Sequence, residues 1–378
     1  MARPALSLSL RSGRHLSCPS FSLCVFAHPP SLVSLRSAGV GLGKEESYRV
    51  YSSLLALQQS KKLTFVRFFG KVLGTGADYY VAEATWETPP EPPEGEEPPP
   101  PPPGAPVEEH TTGCNTYVYF VTTDVAGEWT ALPDVTPQQI VASKSIRKFL
   151  TGDLSADVRA YPPFPGKEKE YLRTQIARIV QATALEAVGT SVMPEEAEAG
   201  ALPVANEAED YVPTPTASLA AASGWCTKVY GILDVGRTVN PPPPEEELEE
   251  GEESKLPKPQ PEIIPLTAIS EAEWSTDVYE HGGPAVAIAR SQLWPGAFSA
   301  YTCVGKLQTT ASLYIGYGHP ALSAPFAMLP PPPFQTEPDE LVEQVDMPLE
   351  DENVAVVAAA TAALAEEAAN MEDPAAEE

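Results

Sequence analysis

Residues 67–80 read RFFGKVLGTGADYY, and this stretch decides the fold class. Aromatic and β-branched residues on either side of a glycine-rich centre predict two strands, over 63–73 and 78–86, joined by a turn at Gly74-Thr75-Gly76. Glycine takes turn angles that other residues avoid, so a hairpin is the natural reading. The spacing of Gly70, Gly74 and Gly76 is GxxxGxG rather than the dinucleotide fingerprint, which leaves them as turn glycines. Phe65, Phe68 and Phe69 on the first strand, like Tyr117, Tyr119 and Phe120 further on, read as core rather than as adhesive surface.

Upstream of the hairpin, residues 39–43 (GVGLG) lead into a helix predicted over 44–59, with Tyr48, Tyr51 and Leu55 on one stripe. A phosphate loop is excluded there: Ala38 stands where the first glycine is required, and Glu45 follows Lys44 where Ser or Thr would ligate magnesium. Downstream, an insert over 87–110 holds six consecutive prolines, which favour an extended polyproline II spacer. Strand character returns at 116–122 (TYVYFVT), so the insert elaborates a loop within a continuing sheet.

Thr136-Pro137-Gln138-Gln139 is a capping box that opens a helix. Ala142, Ile146, Phe149 and Leu150 fall on its predicted buried face. Lys144, Arg147 and Lys148 lie towards its C-terminus and Gly152 stops it. After the rigid connection at 161–166 (YPPFPG), a second helix is predicted with Leu172, Ile176, Ile179 and Val180 inside. Its Lys169, Arg173 and Arg178 are expected outside. A second strand-rich region follows, with strands at 225–233, 285–290, 297–304 and 312–317 and a turn at Trp294-Pro295-Gly296. The Ala-rich stretch 354–370 predicts an exposed, marginal helix. The expected class is α+β: a β-rich body with a few helices, long disordered acidic Pro-rich inserts and a disordered C-terminal tail. The expected organisation is an extension over 1–37, an N-terminal part over 38–192 with insert 87–110, and a linker over 193–215. A C-terminal part over 216–336, with insert 240–262, and an acidic tail over 337–378 complete it.

Charge is distributed unevenly. The 378 residues include 52 Asp or Glu against 24 Lys or Arg, a net charge of −28, and 43 Pro. Seven acids and no base lie in 87–109, six acids and no base in 194–210, eight acids with two lysines in 241–262, and fourteen acids with no base in 337–378. These tracts outweigh the net charge, so the rest of the chain is slightly basic. The acidic balance argues against nucleic acid and anionic membrane surfaces as partners. No apolar run approaches the roughly 20 residues of a membrane span. Five scattered cysteines argue against a disulfide framework and for a reducing compartment. The first 44 residues hold four Arg, nine Ser and no acid, the composition of a targeting segment or of an unstructured extension.

Chemistry-bearing constellations are weak. His15, Cys18, Cys24 and His28 have a Cys–Cys interval wider than zinc sites use and are interrupted by prolines. The paired carboxylates sit in low-complexity acid rather than in a shaped cleft. His281 and His319 stand near turns with no nucleophile beside them. Arg67, Arg147, Lys148, Arg173 and Arg178 read as solvated basic positions, with contact to acidic surfaces on neighbours as the alternative. No catalytic, cofactor-binding or metal residue is therefore expected, and no enzyme.

Several uncommon strings recur in one order: RFFGKVLGTGADYY, LPDVTPQQI (132–140), YPPFPGKEKEYLRTQIARI (161–179), LWPGA (293–297) and YIGYG (314–318). In that order they resemble the radial spoke head protein 4 and 6 family of motile cilia and flagella, over roughly residues 38 to 334. Residues 167–170 and the N-terminus depart from the family pattern. The resemblance implies a structural, non-enzymatic subunit of the radial spoke head in the axoneme, part of the ciliary cytoskeleton. It further implies a role in spoke head assembly and cilium movement, with mechanical signalling between the central pair and the dynein arms. The implied partners are a paralogue of the same family, further head subunits and, transiently, central-pair projections, with no cofactor. The alternative class is a soluble, non-ciliary Pro-rich acidic scaffold or adaptor.

Overall fold

The computed structural model describes residues 39–86, 107–195, 202–208, 210–229, 231–240, 263–280, 284–324 and 349–371. The 1–37 extension with its four candidate zinc ligands, nearly all of both proline-rich inserts, His281 and the two ends of the acidic tail lie outside the described residues. The chain divides into a larger unit, 1–329, and a smaller one, 330–378.

The larger unit begins with α1 (Lys44–Lys61), β1 (Leu63–Val72), β2 (Tyr79–Trp86), β3 (Val118–Thr122) and β4 (Thr130–Ala131). Next come α2 (Pro137–Lys144), α3 (Glu168–Thr183) and four short strands: β5 (Leu185–Ala187), β6 (Ser191–Val192), β7 (Val204–Ala205) and β8 (Trp225–Thr227). The strands β9 (Trp274–Tyr279), β10 (Val286–Ser291), β11 (Ala297–Val304) and β12 (Leu307–Gly316) complete it. Eight of these form one sheet in the order β4-β3-β2-β1-β12-β11-β10-β9. Every neighbouring pair is antiparallel except β1 and β12, which run parallel through Gly70–Tyr314, Lys71–Ile315 and Val72–Gly316. The expected hairpin and the resumption of the sheet after the first insert are both present, and the class is α+β.

Both faces of the sheet are covered. Alternation sends Phe68, Ala82, Ala84, Phe120, Ile288, Ala300 and Leu313 to one face, where Val50, Leu54 and Leu57 of α1 pack. Tyr79, Val81, Tyr119 and Val121 point to the other, against Leu172, Ile176 and Ile179 of α3. Each of those three α3 side chains is essentially inaccessible to solvent and contributes roughly 1.5–3 kcal/mol by burial. Further along, Tyr301, Ala287 and Ala289 meet Trp225, Leu185 and Leu219. The stretch expected as a linker contributes β7, which pairs with β6, and Thr214, whose carbonyl accepts from the Tyr301 hydroxyl.

Three helix and strand readings need correction. In α1 the buried stripe is Val50, Leu54 and Leu57, while Tyr48 is exposed and Tyr51 and Leu55 flank the contact. The helix carries two adjacent apolar stripes, and the one nearer its axis of contact with the sheet is buried. The capping box at Thr136 forms as expected, but α2 stops at Lys144. Ile146 and Leu150 still reach the core, from irregular chain, and Phe149 is half exposed. The helix yields because Leu150 bridges Gly74 and accepts from the Thr75 N–H, while Thr151 accepts from the Gly76 N–H. The hairpin turn thus takes its hydrogen bonds from this segment. Finally, β9 and the first half of β12 were not legible as strands, and β8 is shorter than the 225–233 stretch.

In the smaller unit the Ala-rich helix is present as α4 (Leu349–Met371), with Val354, Val356, Val357 and Leu364 exposed.

At Gly70 the backbone takes φ +157°, and an added Cβ would lie 2.0 Å from the Tyr314 carbonyl oxygen. Gly70→Ala must push β1 and β12 apart, and a loss of about 2–4 kcal/mol is expected. Gly305→Ala, at φ +65° with nothing within 4 Å, is the control and should cost only the backbone strain of about 1–2 kcal/mol. Urea unfolding followed by tryptophan fluorescence compares them; equal losses would show that the β1–β12 approach tolerates a methyl group.

Candidate functional site at the junction of the motifs

Strings far apart in sequence meet around the β1–β12 contact. The Gly296 carbonyl of LWPGA accepts from Ile315 N–H, and the Leu73 N–H donates to Gly316 of YIGYG. Gly296 is itself required, since at φ +97° an added Cβ would sit 2.0 Å from the Ile315 carbonyl oxygen. Gly318 N–H donates to the Tyr314 hydroxyl at 2.8 Å. From the YPPFPG string, which contains a cis Tyr161–Pro162 bond, Pro165 accepts from Gln139 of the capping box. The recurring strings are therefore joints of one frame.

Buried charges are spent on the same frame. Glu83 sits opposite Arg67 on one side and Tyr119 on the other. Its carboxylate takes Arg67 Nε at 2.7 Å, Arg67 Nη2 at 2.9 Å and the Tyr119 hydroxyl at 3.0 Å. Arg67 Nη1 reaches on to Ser312 Oγ of β12 at 2.7 Å. Burial alone would lower the Arg67 guanidinium, but the charge and hydrogen bonds of Glu83 more than reverse this and hold it above its ordinary range. A bidentate pair of this kind is the strong form of the interaction.

Arg173 continues the network instead of facing solvent. It is 1% exposed, its guanidinium carbon lies 4.6 Å from the Tyr119 ring centroid, and Nη2 donates to the Cys114 carbonyl at 2.8 Å and to Asn115 Oδ1 at 3.3 Å. Burial pulls its pKa down, with Tyr119 opposing. Arg178 is likewise drawn in, over the Trp294 ring at 5.3 Å and bonded to the Ser143 carbonyl, and burial lowers it to about 10. Long amphipathic stems let both side chains serve as packing as well as charge. Helical spacing placed them outside; it missed that α3 is buried around most of its circumference. Lys148 is half-buried and donates to the Asp157 carbonyl. Arg147 instead holds the carbonyls of Leu322 and Ala324.

Two further carboxylates act as buried clasps that sequence did not single out. Glu168 accepts from the Tyr79 hydroxyl, the Thr151 N–H and hydroxyl and the Gly152 N–H, all within 2.9 Å. Glu108 accepts from Cys114 N–H and Thr238 N–H, both at 2.6 Å, from the Thr238 hydroxyl, and from Val239 N–H at 3.2 Å. It therefore fastens the end of the first insert to the start of the second. The signal was faint: Glu108 looked like one more acid of a solvated tract.

Nothing in this arrangement resembles a reaction centre. Burial lifts the thiols of Cys114 and Cys226 to about 12, far from nucleophilic use. Among the described residues there is no group of three or more His, Cys, Asp or Glu placed to hold a metal, and no helix is long and apolar enough to cross a membrane. An open groove of about 670 Å³ runs along α1 beside the 125–129 loop, lined by Tyr48, Ser52, Ala56 and Trp129 with Arg49, Lys61 and Glu128. It holds no His or Cys. His319, expected on the surface, is half-buried against Phe149 and Tyr317.

The family model described as radial spokehead-like protein matches residues 31–99 and 87–353. Similar proteins include mouse radial spoke head protein 6 homolog A, 36% identical over 83% of this chain and 53% of the relative. Human radial spoke head protein 4 homolog A is 34% identical over 83% of this chain and 51% of its own length. Flagellar radial spoke protein 4 of Chlamydomonas reinhardtii is 35% identical over 79% and 67%. The chain thus spans about half the length of these mammalian relatives.

Removing one partner of the buried network should be costly, and removing both far less so. Glu83→Leu strands Arg67, and a loss of about 3–5 kcal/mol is expected, whereas adding Arg67→Met to it should recover most of that loss. A double-mutant cycle on urea midpoints decides, and additive losses would mean that the pair is not coupled. Burial also raises the phenols of Tyr79, Tyr119, Tyr301 and Tyr314. In the folded state they keep their protons beyond pH 10, where the unfolded chain loses them, so the stability they supply is full below about pH 10 and falls above it. Urea midpoints should drop between about pH 9.5 and 11.5, with the rise in absorbance at 295 nm tracking unfolding. Ionisation of all tyrosines in the folded protein near pH 10 would contradict this burial.

Proposed function

Since this chain belongs to the radial spokehead-like family, we propose that it is a structural subunit of the radial spoke head in the axoneme of motile cilia or flagella. It assembles there with a paralogue of its family and with other head subunits, and meets central-pair projections transiently. It is not an enzyme in this reading. The observation that supports it best is the convergence of the family strings on one frame, where their glycines, aromatics and charges are consumed by architecture.

A head subunit that passes mechanical cues towards dynein control must be stiff under load. A sheet covered on both faces and cross-braced by hydrogen-bonded charges suits that task. The acidic tracts suit the transient contact. Their charge supplies a negative field that salt screens over about 8–10 Å, and that repels without docking.

The test is complementation of a flagellate strain that lacks its own 4/6-type spoke head subunit with a tagged copy of this chain. The expected result is retention in demembranated axonemes and restored spoke heads in cryo-tomograms. Recovery of the tagged protein only in the soluble cell fraction would overturn the reading. Gln substitution of the acids in 241–262 should leave the number of heads unchanged while altering the waveform of reactivated axonemes in a salt-dependent way. Missing heads would instead assign these acids to assembly.

A further inference from the structure

An aromatic ledge stands on the surface of the larger unit and takes no part in the core. Phe149 is 51% exposed, Tyr317 is 53% exposed, and Leu322 is 83% exposed. Phe149 meets the Tyr317 ring at 5.4 Å and the His319 ring at 5.0 Å, edge-on to both, while Tyr317 and His319 lie within 19° of parallel at 6.2 Å. Two near-parallel rings with a third across them make a flat apolar platform.

The platform is held in advance from both sides. Tyr317 lies between Gly316 and Gly318, and the Gly318 N–H is fixed by the Tyr314 hydroxyl. Phe149 precedes Leu150, which is pinned to the hairpin turn at Gly74. Arg147 clamps the backbone at 322 and 324. Rings held in this way lose little freedom on binding, which is the condition for a recognition surface.

Its electrostatic setting differs from that of the chain as a whole. Arg147, whose guanidinium holds the 322 and 324 carbonyls, and Lys148, next to Phe149, put two cations beside it in a chain of net charge −28, while Lys144 is already paired with Asp234. Lys148 is adjacent to Phe149 in sequence, and both Lys148 and the Arg159 N–H bond to Asp157. The occupant that fits both features is apolar, flat-faced and negatively charged. Proline rings pack on aromatic faces, and a polyproline II segment is already extended and loses little entropy when bound.

We propose that this ledge is a docking site for an extended, acidic, proline-rich segment of a neighbouring protein. The aromatic rings receive the prolines, and Lys148 and Arg147 face the carboxylates. Phe149 and Tyr317 carry the affinity, and the lysine sets its salt dependence.

The probe is a fluorescent synthetic peptide with the sequence of residues 89–103, PPEPPEGEEPPPPPP, titrated with the full-length chain at low salt and followed by anisotropy. Saturable binding is expected, with Kd raised about tenfold or more by Phe149→Ala combined with Tyr317→Ala, the loss equivalent to one aromatic anchor. Lys148→Glu should weaken binding at low salt and flatten its salt dependence. Because none of these side chains is buried in the core, the thermal midpoints of the variants should match the parent, and a matched midpoint separates lost binding from lost folding. The proposal is overturned by an absence of saturable binding, by an unchanged Kd in the double variant, or by equal binding of a peptide in which serines replace the prolines. It is also overturned if sedimentation shows a dimer that the double variant abolishes, since a second copy would then cover the ledge.

Discussion

The parallel contact of β1 with β12 joins segments about 240 residues apart through three register pairs, and the rest of the larger unit is arranged around it. Gly70 makes it possible, because any side chain there would strike the Tyr314 carbonyl. On one side the hairpin and β3 extend the sheet; on the other β11, β10 and β9 do. Without this seam there would be two small antiparallel sheets, each with a raw edge in need of cover. With it there is one sheet, and each face has enough apolar area to bury a helical layer or a small β layer.

The seam is also where polar groups are drawn inside. Arg67 lies on β1, pairs with Glu83 on β2 and bonds on to Ser312 on β12, so the cation of the most desolvated ion pair of the sheet reaches across the join. A buried ion pair is a poor source of net stability compared with apolar packing. Its geometry, however, fits one register only: shifting β12 by one residue would turn Ser312 to the other face and leave Arg67 Nη1 without its acceptor. The pair therefore selects the alignment that the hydrophobic pattern on its own would specify more loosely.

Local chemistry made part of this legible in the sequence. The turn glycines at 74 and 76, the capping box at Thr136 and the Trp294-Pro295-Gly296 turn each act within a few residues, and each was readable. What escaped reading depends on distant partners. Arg173 has the spacing of an outward-facing residue on a helix, and only the approach of Tyr119 and the 114–115 backbone turns it into a core residue. Glu108 and Glu168 are indistinguishable from solvated acids until Thr238 and Tyr79 are placed beside them. The early end of α2 has the same origin, since the hairpin turn takes the carbonyls of Leu150 and Thr151. The parallel seam itself leaves no pattern in either strand, because Gly70 reads equally well as a turn glycine.

Joined together, the buried contacts run without a break from the insert roots to the middle of the sheet. Thr238 and Val239 bond to Glu108, which holds the Cys114 N–H; the Cys114 carbonyl takes Arg173, which lies on Tyr119; the Tyr119 hydroxyl meets Glu83, and Glu83 holds Arg67 against Ser312. Each link is short, and most are shielded from water, where hydrogen bonds are stronger and less easily exchanged. An acidic loop attached to a flexible surface turn would dissipate a push by moving that turn. Loops attached at Glu108 have no such freedom, because displacing their roots means breaking desolvated bonds in sequence. The roots of both inserts therefore belong to the same desolvated frame that fixes the centre of the sheet.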